Sequence, residues 1–172
     1  MNLEEKQKVT SDWFKNLRDL ICAEFEKIET EFSVEGSPYL GGPSERVSGA
    51  MGVHKKFQRK NWDREGGGSG EMSLMKGNVF EKVGVNFSKV YGEFSEEFAR
   101  QIPGCEKNRK FWASGISLVA HMKSPLVPAV HMNTRFICTE KTWFGGGADL
   151  NPMFEIAKDT AAFHAAFKNA CA

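Results

Sequence analysis

The sequence has no strong charge of either sign, no long hydrophobic run and no paired cysteines, and each absence removes a class of protein. Lys and Arg number 23 against 22 Asp and Glu, a formal net charge of +1. A nucleic-acid binder carries a basic excess, so a nucleic-acid partner is not expected. The local basic stretch HKKFQRK, His54 to Lys60, reads as a solvated strand face or a patch for a substrate anion. No run of about 18 apolar residues appears, which argues against a membrane-spanning helix. The start, MNLEEKQKVTSD, is charged and lacks the apolar stretch of a secretory signal. Cys22, Cys105, Cys138 and Cys171 stand far apart in the chain, which argues against zinc and redox motifs and predicts a reducing, cytoplasmic location. Neither glycine cluster, Gly66 to Gly70 or Gly145 to Gly147, leads into the Lys-Ser/Thr of a phosphate loop or has dinucleotide-fold spacing. Both read generically as tight turns or bulges that need positive φ. There is no internal repeat and no disordered tail.

What is present supports one domain with a sizeable core: 172 residues, 41% of them hydrophobic. Val9, Trp13, Leu17, Leu20, Ile21, Phe25, Ile28 and Phe32 recur at three- and four-residue steps, which predicts a long amphipathic helix with these residues in the core. Asn2 and Glu5 have capping-box spacing at its start. Gly36 to Pro43 breaks the period. From Arg46 onward short β-like runs are punctuated by glycine, notably at Glu65 to Gly70 and Met75 to Gly77. After Pro152 a helical pattern returns, with Phe163, Phe167 and Ala170 on one side. Helix, strands, then helix predicts an α+β domain in which an antiparallel β-sheet is flanked by α-helices.

Two strand patterns carry the chemistry. In GISLVAH, Ser117, Val119 and His121 share one face, with Ile116, Leu118 and Ala120 on the other. In VHMNTRF, His131, Asn133 and Arg135 share a face, with Val130, Met132, Thr134 and Phe136 behind. A hairpin centred near Leu126 pairs His121 with His131, Val119 with Asn133, and Ser117 with Arg135, although the loop holding Pro125 and Pro128 does not fix that register. A solvated strand also alternates, but its polar positions tend to carry Lys, Glu and Thr. Here His, Asn, Ser and Arg converge, and an arginine among hydrogen-bonding groups suits a carboxylate, which its planar fork can hold through two parallel bonds. The second glycine cluster leads straight to Asp149, so backbone close to a flat ligand is followed by an acidic side chain able to reach the ligand's centre.

The segments NWDREGGGSGEMSLMKGNVFEKVGVNFSKVYGEF, GISLVAH, VPAVHMNTRF, WFGGGADLNP and FHAAFKNAC, in order from about Trp62 to Cys171, resemble successive motifs of oxygen-dependent coproporphyrinogen III oxidases. The resemblance implies a large antiparallel sheet between helices, a homodimer, and conversion of coproporphyrinogen III to protoporphyrinogen IX in haem biosynthesis. Two propionates are oxidatively decarboxylated to vinyl groups, with dioxygen as co-substrate, no organic cofactor, and carbon dioxide and hydrogen peroxide as products.

Carried over residue by residue, the resemblance assigns substrate contact to Ser117, Asn133, Thr134 and Arg135. It makes His131 a proton donor and Asp149 a residue of substrate binding and catalysis. A divalent metal cation, where bound, falls to His121, His131 and His164, although a lone histidine is more often a structural hydrogen-bonder and His164, beside Phe163 on a helical pattern, reads equally well as packed core. Two departures, Met122 for the usual Pro and Asn151 for the usual Thr before Pro152, read as peripheral. The family's sequences run considerably further, so residues 1–172 read as a single, incomplete oxidase domain. The competing reading is a catalytically silent or split-enzyme piece that keeps a tetrapyrrole- or carboxylate-binding surface. A histidine-dependent metal hydrolase is disfavoured, because no water-activating Glu sits beside a closely spaced His pair.

Overall fold

In the computed structural model, which describes residues 1–35 and 56–172, the chain begins with the expected cap. Asn2 Oδ1 accepts from the Glu5 amide and Glu5 Oε2 from the Asn2 amide, both at 2.9 Å, and α1 runs over Leu3–Glu35. This reciprocal pair satisfies two amide donors at the helix start. The break expected at Gly36 to Pro43, the first β-like residues after Arg46, and His54 and Lys55 of the basic stretch lie outside the described residues. Next come β1 (Gln58–Asp63), β2 (Gly68–Met75), β3 (Phe80–Glu93), the short α2 (Glu96–Ala99), β4 (Lys110–Met122), β5 (Ala129–Cys138), β6 (Thr142–Asn151) and α3 (Ala157–Ala170).

The strands form one six-stranded antiparallel sheet in the order β1-β2-β3-β4-β5-β6, each paired with its sequence neighbour. The expectation of an α+β domain holds. The first glycine cluster is a turn between β1 and β2, with Gly67 at φ 104° and Gly68 at φ 103°, where a β-carbon would be strained. The second cluster is not a turn. Gly145, Gly146 and Gly147 lie inside β6 in extended backbone, because β5 pairs with them residue by residue through Arg135, Thr134 and Asn133.

α1 lies against β3 and β4 and covers one face of the sheet. Phe14 is fully buried with Phe87, Ile116, Phe136 and Cys138, while Cys22 joins Met75, Phe80, Val83, Val85, Leu118 and Ala120. Fully burying one such large apolar side chain stabilises the fold by about 1.5–3 kcal/mol. The expected apolar stripe is only half right. Leu17, Ile21 and Phe25 pack inward, but Val9, Trp13, Leu20 and Ile28 are 57, 52, 58 and 42% exposed. Their inward places are taken by polar residues with dedicated partners, which a count of apolar spacing cannot register. Buried Arg18 Nη1 bonds Glu71 Oε1 at 2.5 Å, and at the exposed edge of the helix contact Arg59 Nη2 bonds Asp19 Oδ1 at 2.6 Å. Buried Glu29 accepts from the amides of Asn78, Val79 and Phe80 at 2.7–2.8 Å, and so holds the turn between β2 and β3. Burial would raise the Asp19 carboxyl, but hydrogen bonds and charge from Arg18 and Arg59 outweigh it and hold the group below its ordinary value.

Candidate active site

Period-two geometry sends every second side chain of the central strands away from α1. Ser117, Val119 and His121 of β4, and His131, Asn133 and Arg135 of β5, therefore stand on the face opposite the core, as the sequence pattern implies. The register differs from the expected one. Val119 faces His131, Ser117 faces Asn133, and Gly115 faces Arg135. The turn is organised by Ser124, whose Oγ accepts from the Leu126 amide and whose carbonyl accepts from the Val127 amide, each at 3.3 Å, so its centre falls at Pro125. Moving the centre by one residue slips the strands by two. Because two is the side-chain period, the faces are preserved.

Across the strands the face reads in rows. One row runs Leu74, Gly84, Val119, His131, Asp149, and the next Met72, Asn86, Ser117, Asn133, Gly147. A third runs Ser88, Gly115, Arg135, Gly145. Glycine thus floors part of the surface with bare backbone. A β-carbon on Gly147 would meet nothing within 4 Å, and one on Gly84 or Gly145 only side-chain atoms at 3.9–4.0 Å. The result is an open face with apolar Met72 and Val119 in its middle and polar groups along β5 and β6.

The polar groups form two hydrogen-bonded sets. His131 Nδ1 lies 2.8 Å from Asp149 Oδ1, and its Nε2 lies 3.3 Å from His121 Nε2. Arg135 Nη1 donates a short hydrogen bond to Asn133 Oδ1, which steadies the guanidinium and leaves its other donors free. The side chains of His131 and Asp149 are 36 and 58% exposed, so the pair is open to solvent. Chemically this is an acid–base pair beside a fixed guanidinium, a set able to hold a carboxylate and move a proton next to it.

Two expected site residues are not brought to this cluster. Thr134 sits opposite Ile116 on the reverse, α1-facing side, as strand alternation requires, so its side chain does not reach the open face. His164 is exposed on α3, its ring 5.9 Å from that of Phe163, and α3 buries no residue, so the core-packing reading of His164 also fails. The Nε2 atoms of His121 and His131 have the separation, about 3.3 Å, of two imidazoles on one tetrahedral ion. Among the described residues no three His, Cys, Asp or Glu side chains converge as a metal-ligand group.

Two further residues join the site: Asn151, which the sequence pattern made peripheral, and Asn86, which it did not single out. Asn151 places Nδ2 2.5 Å from Asp149 Oδ1 and 3.2 Å from His131 Nδ1, so it is not peripheral. The alternation of β6 put it on the same face as Asp149 and was the available signal. Asn86 lies beside Ser117, flagged only by the alternation of polar Asn86 and Ser88 with inward Val85 and Phe87, and its Oδ1 is buried with no hydrogen-bond partner.

A sheet with one helix-covered face and an acid–base pair beside an arginine on the other describes a class of site for an anionic, flat substrate. The chain belongs to the coproporphyrinogen III oxidase family, whose model matches residues 9–172. It is 56% identical over 168 residues to the oxygen-dependent coproporphyrinogen-III oxidase of Rickettsia bellii (strain OSU 85-389), an alignment covering 98% of this chain and 55% of that protein. It is 56% identical over 171 residues to the enzyme of the same name from Rickettsia africae (strain ESF-5), covering 99% and 56%. The chain therefore spans about half the length of the curated relatives it matches.

Proposed function

We propose that this chain carries the substrate-holding and proton-handling surface of an oxygen-dependent coproporphyrinogen III oxidase, acting in the cytoplasm and, with the remainder of the site in place, as a homodimer. The observation that carries the reading is that Arg135, Asn133 and Ser117 share one glycine-floored sheet face with the hydrogen-bonded His131–Asp149 pair. Coproporphyrinogen III is a flexible tetrapyrrole with four carboxylates. Arg135 takes one propionate through its free donors, and Ser117 and Asn133 offer it hydrogen bonds. Met72 and Val119 receive the hydrocarbon of the ring system.

Each turnover converts a propionate, –CH2–CH2–COO⁻, with dioxygen and one proton into –CH=CH2, carbon dioxide and hydrogen peroxide. The β-carbon loses hydrogen, the bond to the carboxylate carbon breaks, and its electron pair becomes the vinyl double bond while dioxygen is reduced. Asp149 accepts pyrrole N–H groups and takes a proton from the electron-rich substrate, and His131 returns one. Such acid–base help is worth roughly 10²–10⁴ in rate. A divalent cation would be held by His121 and His131 and would supply positive charge for an anion. Because the pair is solvent-exposed, the chain alone binds substrate but turns it over slowly: the field of an open site is weakened by water.

The test is calorimetric titration with coproporphyrinogen III kept reduced under argon, followed by admission of air and chromatography of the products. Saturable binding that Arg135→Lys weakens about tenfold, through loss of the bidentate fork, is the expected result. Failure to bind would remove the reading. Rapid vinyl formation by the chain alone would show that the open surface suffices.

A further inference from the structure

We propose that Asn151 is a positioning residue which, through Asp149, sets the tautomer of His131 and so the direction of a hydrogen-bond relay along the face. The relay is read from donors and acceptors. An ionised Asp149 only accepts, and its Oδ1 faces both Asn151 Nδ2 at 2.5 Å and His131 Nδ1 at 2.8 Å. The His131 ring proton therefore sits on Nδ1 when the ring is neutral, because the other tautomer would point a lone pair at a carboxylate. Nε2 is left with its lone pair, aimed at His121 Nε2 3.3 Å away. Two lone pairs cannot face each other at that distance, so His121 presents Nε2–H and the chain of donors runs from His121 to His131 to Asp149.

Asn151 decides whether this order is kept. Its amide has two candidate acceptors, the carboxylate at 2.5 Å and His131 Nδ1 at 3.2 Å. The first is shorter and charge-assisted, and it wins. Held there, Asn151 draws Asp149 Oδ1 to the position from which it receives the Nδ1 proton. It carries no charge of its own, so it orders the pair without competing for the proton. Asn151 ends β6 and is exposed, so its side chain contributes little to the fold.

This deepens the oxidase reading and rests on it for its use in catalysis, but the test needs no turnover. The imidazole nitrogens of His131 are observed by ¹⁵N–¹H correlation in the 172-residue chain, with chelator present, at a pH about two units above the ordinary histidine value. Protonated Nδ1 and bare Nε2 are expected. In Asn151→Ala the Nε2–H form should rise to a comparable share, while Asn151→Gln, which keeps an amide donor, should stay near the parent pattern. Melting of each variant should match the parent, separating orientation from folding. A dominant Nε2–H tautomer in the parent chain, or an Asn151→Ala spectrum identical to it, would overturn the proposal. If the tautomer is as expected and no tetrapyrrole binds, the oxidase reading fails and the relay stands.

Discussion

Along β4, Ile116, Leu118 and Ala120 are buried under α1, while Ser117, Val119 and His121, one residue further on in each case, stand open on the other side. The two faces of this one sheet follow opposite rules. The covered face is apolar, close-packed and fastened to α1 by Arg18, Glu26 and Glu29, each hydrogen-bonded to a residue outside α1. The open face keeps glycine at Gly84, Gly145 and Gly147, where a side chain would fit, and places its hydrogen-bonding groups along β4, β5 and β6. The apolar packing lies on one side and the candidate site on the other, so a substitution should move one property with little effect on its neighbour.

The largest effect that would break this comparison comes from Asp149→Asn. The amide is nearly isosteric but takes no proton, so vinyl formation should fall about 10²–10⁴-fold. Turnover is measured in this chain mixed with the C-terminal part of a Rickettsia relative, and melting of the variant chain should be unchanged. Parent-like turnover would take Asp149 out of the chemistry.

On the covered face, Phe14→Ala opens a cavity among Phe87, Ile116, Phe136 and Cys138 and should cost about 3–5 kcal/mol of stability. Urea unfolding reads it. At a denaturant concentration where the variant remains folded, tetrapyrrole affinity should be that of the parent, and a large loss of affinity would show that the faces are coupled.

Adjacent glycines sharpen the comparison at smaller scale. Gly147→Ala adds a methyl where nothing lies within 4 Å, so it should be neutral or stabilising by about 0.5 kcal/mol, while lifting a flat ring from the floor and weakening binding severalfold. Gly146→Ala directs its methyl to the reverse side, 2.6 Å from the Asn133 carbonyl oxygen, and should destabilise by about 1–3 kcal/mol. Equal melting shifts for the two would show that the open face has no spare room.

Much of this protein was legible because the signals were local. The capping box of Asn2 and Glu5, the division of β4 and β5 into two faces, the positive-φ turn at Gly67 and Gly68, and the α+β order of elements all depend on residues a few positions apart. Backbone geometry alone converts such spacing into structure. The resemblance added the identity of the family, which no periodicity contains.

Other features were decided only when distant segments met. The face of α1 that packs was chosen by partners on β2 and β3, so Arg18 and Glu29 turn inward and Trp13 outward. The β4–β5 register depended on where Ser124 starts the turn, and Gly145 to Gly147 became strand because β5 paired with them. Asn151 became part of the site when β6 lay beside β5, while Thr134 and His164 stayed away from it. Alternation along a strand sets which face a residue occupies, whereas pairing, packing and hydrogen-bond partners set whom it meets there, and those partners lie far off in the chain.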